Sequence, residues 1–286
     1  MNIFECAPRD YHSKLRVNRA NIFAPDSFLS KSALWELNDA SLYKWRYFPS
    51  QITLTAAMQW GSLVDTLATT PDLEGSEIAV SPYPDFRAKE AREWRDAQLA
   101  ANMTVIAADT LTEGRKAAKM LTETCSATAE IFAKSKTQVI VAAKINDVAM
   151  KGLVDLAPVG EDFLADLKTT SNFTADGFCK DVAARGYHVQ AAIYLHLWNA
   201  CFPDDQRKRF KLIWQDSSAP YEACVTEIAE HEIEAGWHYA TRMIDTLIDA
   251  TKRGHWPTAF SESEILITRP VWASIREDEK MNPLTT

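Results

Sequence analysis

Two aspartates and a lysine, Asp155, Asp166 and Lys168, lie within one stretch of 21 residues, 150–170, reading MKGLVDLAPVGEDFLADLKTT. Apolar runs on either side of Val159-Gly160-Glu161-Asp162 read as two strands joined by a short turn. With those four residues as the turn, Pro158 faces Phe163 and Asp155 faces Asp166. Directly opposed residues have Cβ atoms about 4.5–5.5 Å apart, so two carboxylates there repel each other. A divalent cation that takes oxygen ligands removes that repulsion. Lys168 stands two residues beyond Asp166 and therefore points to the same face. It can neutralise charge or hold a water or a phosphate oxygen. The chemistry such a trio supports is metal-assisted hydrolysis of a phosphodiester. A turn shifted by one residue would put the two acids on opposite faces, so the register decides the reading.

Other elements must bring further groups to this hairpin. Residues 174–201 read as helical with a weak spot at Gly186, and Gln190 and Tyr194, four apart, share one helix face. Both can hydrogen-bond a substrate or orient a water. Residues 55–70 read as a helix whose apolar stripe is Met58, Leu63, Val64 and Leu67. Asp65 sits beside that stripe, either as an exposed acid at its edge or as a carboxylate aimed into a cleft. Ser30 and Ser32 open a helix over 30–37, as caps or as phosphate contacts at a helix N-terminus. The run FRAKEAREWRDAQL carries Arg87, Lys89, Arg92 and Arg95, either a solvated face or a basic wall against a phosphate backbone.

Around these pieces the pattern predicts strands at 77–80, 138–144, 149–156, 163–168, 210–215 and 222–229. It predicts long helices at 107–133, interrupted near Gly114, and at 231–252. Residues 1–28 read as a loosely structured arm. The expected class is α/β (α+β): one central mixed β-sheet flanked by helices, with a helical N-terminal addition. We expect a single domain over 1–286, made of an arm and first helix (1–54), a core (55–260) and a C-terminal tail (261–286).

Composition limits the alternatives. Hydrophobic residues are 47%, with nine Trp and twelve Phe, enough for a substantial core. The net charge of −8 lacks the basic footprint common in nucleic-acid binders, although charge can be segregated by face. Five cysteines, Cys6, Cys125, Cys179, Cys201 and Cys224, are too scattered for a disulfide framework or a zinc or iron–sulfur clamp. The N-terminus has no apolar signal core, and the charge-free stretch 48–64 is broken by polar residues and Pro49. The expected setting is therefore cytoplasmic, away from membranes.

Taken together, SKSALWEL, GSLVDTL, GLVDLAP, ADLKTT, YHVQAAIYL and APYEACVTEIAEHEIEAG, in that order, resemble the PD-(D/E)xK nuclease superfamily, and most closely its RecE-type (exonuclease VIII) branch. The resemblance implies a restriction-endonuclease-like core. It implies Asp65, Asp155, Asp166 and the Leu167 carbonyl as ligands of Mg²⁺, with Mn²⁺ able to substitute, and no iron–sulfur cluster. Lys168 would position or activate the attacking water, and Gln190 and Tyr194 would brace substrate and site. Ser30 and Ser32 would touch DNA or its 5′-phosphate. Where the branch commonly places His, this chain has Asp65, a harder ligand. The implied activity is 5′→3′ digestion of linear double-stranded DNA, leaving 3′ single-stranded tails for phage-type recombination. The implied partners are double-stranded DNA ends, sister subunits in a homo-oligomeric ring, and a single-strand annealing protein. The competing expectations are a PD-(D/E)xK endonuclease and a non-catalytic DNA-end-binding ring.

Overall fold

A computed structural model describes residues 11–50, 54–260, 264, 267, 268, 270 and 271. Cys6 and most of the tail expected at 261–286 lie outside the described residues. The strands are β1 (Leu29–Ser30), β2 (Ile78–Val80), β3 (Thr104–Ile106), β4 (Ser135–Ile145), β5 (Val148–Pro158), β6 (Phe163–Thr170), β7 (Arg209–Asp216) and β8 (Ala223–Glu227). The helices are α1 (Tyr11–Lys14), α2 (Lys31–Trp35), α3 (Leu42–Tyr47), α4 (Ala56–Thr69), α5 (Glu74–Glu77), α6 (Lys89–Ala100), α7 (Ala108–Lys119), α8 (Ser126–Lys134), α9 (Ala175–Arg185), α10 (Tyr187–Cys201) and α11 (Glu230–Arg253).

The centre is the β4–β5 ribbon. Asn146 and Asp147 both adopt positive φ, 49° and 69°, as a two-residue hairpin turn matched to strand twist requires. From that turn the ladder runs from Ile145↔Val148 to Ser135↔Pro158. β6 is antiparallel to β5 at Leu156↔Ala165, β7 is parallel to β6, and β8 is antiparallel to β7. β1 is parallel to the opposite end of β5, at Leu29↔Met150. The result is the expected mixed sheet flanked by helices, with a small parallel pair, β2–β3, beside it.

Both faces of the sheet are covered. Phe210, Leu212 and Trp214 pack with Leu34, Val189, Ile193, Ile244 and Leu247 on one side. Ile213 packs with Leu63, Val64, Ala117, Leu121 and Ile131 on the other. A strand buried on both faces is apolar without alternation, which is how FKLIW reads. α10 is sandwiched between the sheet and α11, and the two helices meet at Gly236, where an added Cβ would lie 2.4 Å from the His188 carbonyl oxygen. α9 and α10 are separated at Gly186, which has φ +62° and packs against the Trp35 ring.

Two expectations change. The long helix over 107–133 breaks at Cys125, after a π-turn over Met120–Thr124, and not near Gly114. Gly114 lets α7 close on α4, since a Cβ there would come within 2.7 Å of Leu63 Cδ2. The arm is also not loose over its described part. Tyr11, Leu15 and Ile22 are buried, and the Lys151 ammonium donates to the Tyr11 carbonyl at 2.8 Å. Tyr11, Leu15 and Ile22 stand at helical intervals of four and seven, but the described helix here is only α1 (Tyr11–Lys14), so their burial comes from tertiary contacts. Among the described residues no helix is long and apolar enough to cross a membrane.

Gly236 therefore sets how closely α11 can hold α10 on the sheet. Gly236→Ala should cost about 1–3 kcal/mol through overpacking. Gly75→Ala, at a position with nothing within 4 Å of the new methyl, should be neutral or slightly stabilising. Urea denaturation of both variants checks this, and equal midpoints would refute the assignment.

Candidate active site

The sheet opens where the acids sit. Leu156↔Ala165 is the single β5–β6 bridge, and it puts Asp155 opposite Asp166, the register of the four-residue turn Val159–Asp162. Beyond it the strands part. The Leu167 amide donates to Asp155 Oδ2 at 3.0 Å, so a carboxylate stands where a neighbouring strand's carbonyl would normally accept. On the other edge of β5 the ladder pairs Thr137↔Leu156 and Val139↔Val154 but omits Gln138 and Asp155 between them. Val154 packs in one core cluster and Leu156 in the other. Residues two apart normally share a face, so the ribbon rolls over at Asp155.

Asp166 is 2% exposed. The Gln190 side-chain amide donates to its Oδ1 at 2.6 Å. Its Oδ2 forms a close ion pair with the Lys168 ammonium but accepts no well-directed hydrogen bond. Lys168 Nζ also lies 3.5 Å from Gln190 Oε1 and 4.5 Å above the Tyr187 ring. Asp65 comes from α4, whose Gly61 lies close against β6: a Cβ there would be 3.3 Å from Thr169 Oγ1. The Asp65 carboxylate is turned inward and accepts from Gln138 Nε2 at 3.2 and 3.1 Å. It also borders a cleft of about 210 Å³ lined by Ser62, Glu77 and Thr104. Tyr194, on the same helix face as Gln190, forms no hydrogen bond to these acids, although, after burial and Tyr11, Asp166 and Asp155 are near enough to help raise its hydroxyl. Its ring lies on Gly152, where a Cβ would be 3.0 Å away, and it supports β5 from beneath.

The electrostatics follow from crowding. Burial, then Asp166, then Asp65 push the Asp155 carboxyl well above the usual carboxylate range. Burial and then Asp166 push Asp65 up to about 7, against the opposite pull of Lys168 and Gln138. Burial works to lower the Lys168 ammonium, but Asp166, Tyr187 and Asp155 outweigh it and hold Lys168 above its ordinary value.

The donor set suits a hard divalent cation. Every acid offers carboxylate oxygen, the site carries more negative than positive charge, and Asp166 Oδ2 lacks a directed hydrogen bond. Among the described residues no three His, Cys, Asp or Glu side chains already stand spaced to ligate one ion. Asp65 is turned to Gln138, Asp155 to the Leu167 amide and Asp166 to Lys168. Asp65, Asp155 and Asp166, with the Leu167 carbonyl, are the groups that would hold it.

Ser30 and Ser32 have separate placements. The Ser30 hydroxyl accepts from the Ala33 amide at 3.2 Å as the N-cap of α2, and Ser32 is exposed. Between them Lys31, which residue patterns did not single out, donates to the Arg185 carbonyl and lies 5.2 Å over the Trp35 ring and 5.7 Å over the Tyr187 ring. Burial and then Lys168 lower it to about 7. Tyr187 and Gln138 were missed as well. Tyr187 stands one helical turn before the Gln190–Tyr194 pair, a signal available in the sequence. In the basic run around α6, Arg87 pairs with Asp85, Lys89 with Glu93 and Arg95 with Asp96, and Arg92 donates to the Arg87 carbonyl.

The family model described as a PDDEXK-like domain of unknown function (DUF3799) matches residues 44–268. No curated protein matches the chain. Among solved structures, a protein of Eubacterium rectale with the provisional designation exonuclease is similar at a TM-score of 0.60 and 12% identity, over 95% of this chain and 98% of that one. That likeness is one of fold. SSO0001 (TM-score 0.32, 14% identity, 77% of this chain and 83% of that one) and LHK-Exo in complex with dAMP (TM-score 0.29, 13% identity, 69% and 93%) are too distant to carry an argument.

The raised Asp65 carboxyl has a pH signature. Its folded pKa of about 7 lies above the unfolded value of 3.8. The protonated acid therefore contributes stability that is complete below the unfolded value and is lost as pH rises through about 7. In chelator, the gain in melting temperature from Asp65→Asn should grow between pH 6 and pH 8, and Mg²⁺ should shrink it. Thermal melts of both proteins at the two pH values test this; a difference independent of pH would reject it.

Proposed function

The chain belongs to the family of PDDEXK-like domains, and on that footing we propose that it is a divalent-metal-dependent deoxyribonuclease that digests linear double-stranded DNA from its ends. The observation that carries the reading is the convergence of Asp155, Asp166 and Lys168 where β5 and β6 part, with Gln190 fixed on Asp166. A structural hairpin has no reason to bury this much like charge, since buried acids cost stability unless compensated.

When bound, a divalent cation supplies a polarised phosphate and an acidified water. The remaining work belongs to the chain's own residues. Asp155 and Asp166 face each other across the opened hairpin and would hold the cation against which the reacting phosphate is placed. Lys168, held charged by Asp166, orients the attacking water and offsets charge on the phosphate, rather than removing a proton. Gln190 holds Asp166 in one rotamer through Oδ1, which leaves Oδ2 to the reaction. Tyr194 keeps β5 in place. Tyr187 and Lys31 form the α2 side of the site, where Lys31 would meet a backbone or terminal phosphate beside the Ser30 and Ser32 hydroxyls.

The finer parts of the proposal rest on the RecE-type resemblance: Mg²⁺ as the ion, 5′→3′ polarity, 3′ tails made for strand annealing in phage-type recombination, and a cytoplasmic setting. A homo-oligomeric ring with cations inside and acids outside would reconcile the net charge of −8 with a DNA substrate. A single-strand annealing protein would take up the product.

Lys168→Ala should lose about 10²–10³-fold in nucleotide release, the scale for removing one preorganised charge-stabilising group, while the variant remains folded. With Mg²⁺, linear duplex should be degraded and covalently closed circles left intact, with 5′-phosphorylated ends digested faster than 5′-hydroxyl ends. Cleaved circles would move the reading to an endonuclease. DNA-end binding without hydrolysis would make the protein a non-catalytic end-binder.

A further inference from the structure

Gln138 breaks a backbone rule in the middle of a strand. Its φ is +51°, a region that favours glycine and is costly for longer side chains. The other described non-glycine residues with positive φ, Asn102, Asn146, Asp147, Tyr221 and Phe260, lie in turns or loops. Gln138 alone among them lies inside a regular strand, and the β4–β5 ladder skips it and Asp155 together. Glycine would take this conformation without cost. The chain spends a glutamine there, so the side chain repays the strain.

What the side chain does is visible. Gln138 Nε2 donates to both Asp65 carboxylate oxygens, at 3.2 and 3.1 Å, and lies 3.2 Å from Thr69 Oγ1. The Thr69 hydroxyl in turn donates to the Asp65 carbonyl at 2.8 Å. This closed loop joins α4 to β4, two elements far apart in sequence. Asp65 and Gln138 meet on the wall of one solvent cleft, which both of them line. The backbone twist at Gln138 is what brings a strand side chain round to meet Asp65.

We propose that Gln138 is a positioning residue that fixes the Asp65 carboxylate in one orientation beside Asp155 and Asp166, so that the third acid is held ready for a divalent cation. Outer groups that orient a ligand typically change metal affinity by about 10–100-fold when removed. The inference rests on the metal-dependent reading above and adds a residue to it that neither the hairpin motif nor the helix motifs contain.

The test is Mn²⁺ binding by the intact chain, followed by the electron paramagnetic resonance signal of free Mn²⁺, together with thermal melts in chelator. Gln138→Gly relieves the backbone and removes the amide. Gln138→Asn keeps an amide and tolerates positive φ but is one methylene too short to reach. Both should bind Mn²⁺ about ten-fold more weakly than the parent, with Gln138→Gly melting at or above the parent temperature. In an Asp65→Ala background, Gln138→Gly should change Mn²⁺ affinity no further. A merely structural glutamine would lower melting temperature and leave affinity alone. Parent-like Mn²⁺ affinity in both variants overturns the proposal, as does an equal loss with and without Asp65. A parent protein that binds no Mn²⁺ fails the metal reading itself and the inference with it.

Discussion

Like charge confined in the sheet is the constraint on which the rest of this structure depends. Asp65, Asp155 and Asp166 converge from α4, β5 and β6 into a space where burial raises two of their carboxyls. Nearby opposing charge is small: Lys168 is ion-paired to Asp166, and burial and Lys168 together keep Lys31 low. Such an arrangement persists only because the surrounding fold overdetermines it. The parted hairpin, the rolled ribbon, the Leu167 amide on Asp155 and the Gln190 amide on Asp166 each supply a donor or a geometry that separate strands would not provide. The stability cost lies in the acids, and the large apolar layers on both faces of the sheet offset it.

Glycine spacing shows how the fold brings those groups within reach. Gly61 lets α4 close on β6, Gly114 lets α7 close on α4, and Gly236 lets α11 close on α10. Each contact shortens the distance between an element carrying a site residue and the sheet, or backs it from behind. α4 delivers Asp65 and α10 delivers Gln190, so all three glycines act on the site through one of these two helices. At Gly186 the left-handed break between α9 and α10 sets the direction in which α10 leaves, and with it the side of the sheet that Tyr187 and Gln190 face.

Much of this was legible in the sequence, for physical reasons. Strands buried on both faces read as unbroken apolar runs, and short polar turns fixed their ends, so the opposition of Asp155 and Asp166 followed from turn length. Helical spacing put Gln190 and Tyr194 on one face, but only Gln190 donates a hydrogen bond to an acid; spacing gives direction and not bonding. The roll of the ribbon at Asp155 was not legible, because it depends on a positive φ at Gln138 that no sequence rule assigns to glutamine. The packed course of residues 11–28 escaped because it is held by tertiary contacts such as Lys151 to the Tyr11 carbonyl. The break at Cys125 escaped because a π-turn leaves no compositional mark, whereas Gly114, which looked like a break, is a helix–helix contact.

Asp65 gathers these threads. The resemblance that implies a nuclease places an imidazole at this position, a ligand that is neutral when it binds. A carboxylate adds a negative charge to a site that already holds two, and that change cannot be made in isolation. It calls for a donor on the third acid, and Gln138 supplies one at the cost of a strained backbone. A hard oxygen ligand in place of nitrogen shifts the donor set toward cations that prefer oxygen alone. Asp65 and the strained strand residue that donates to it therefore form one coupled arrangement.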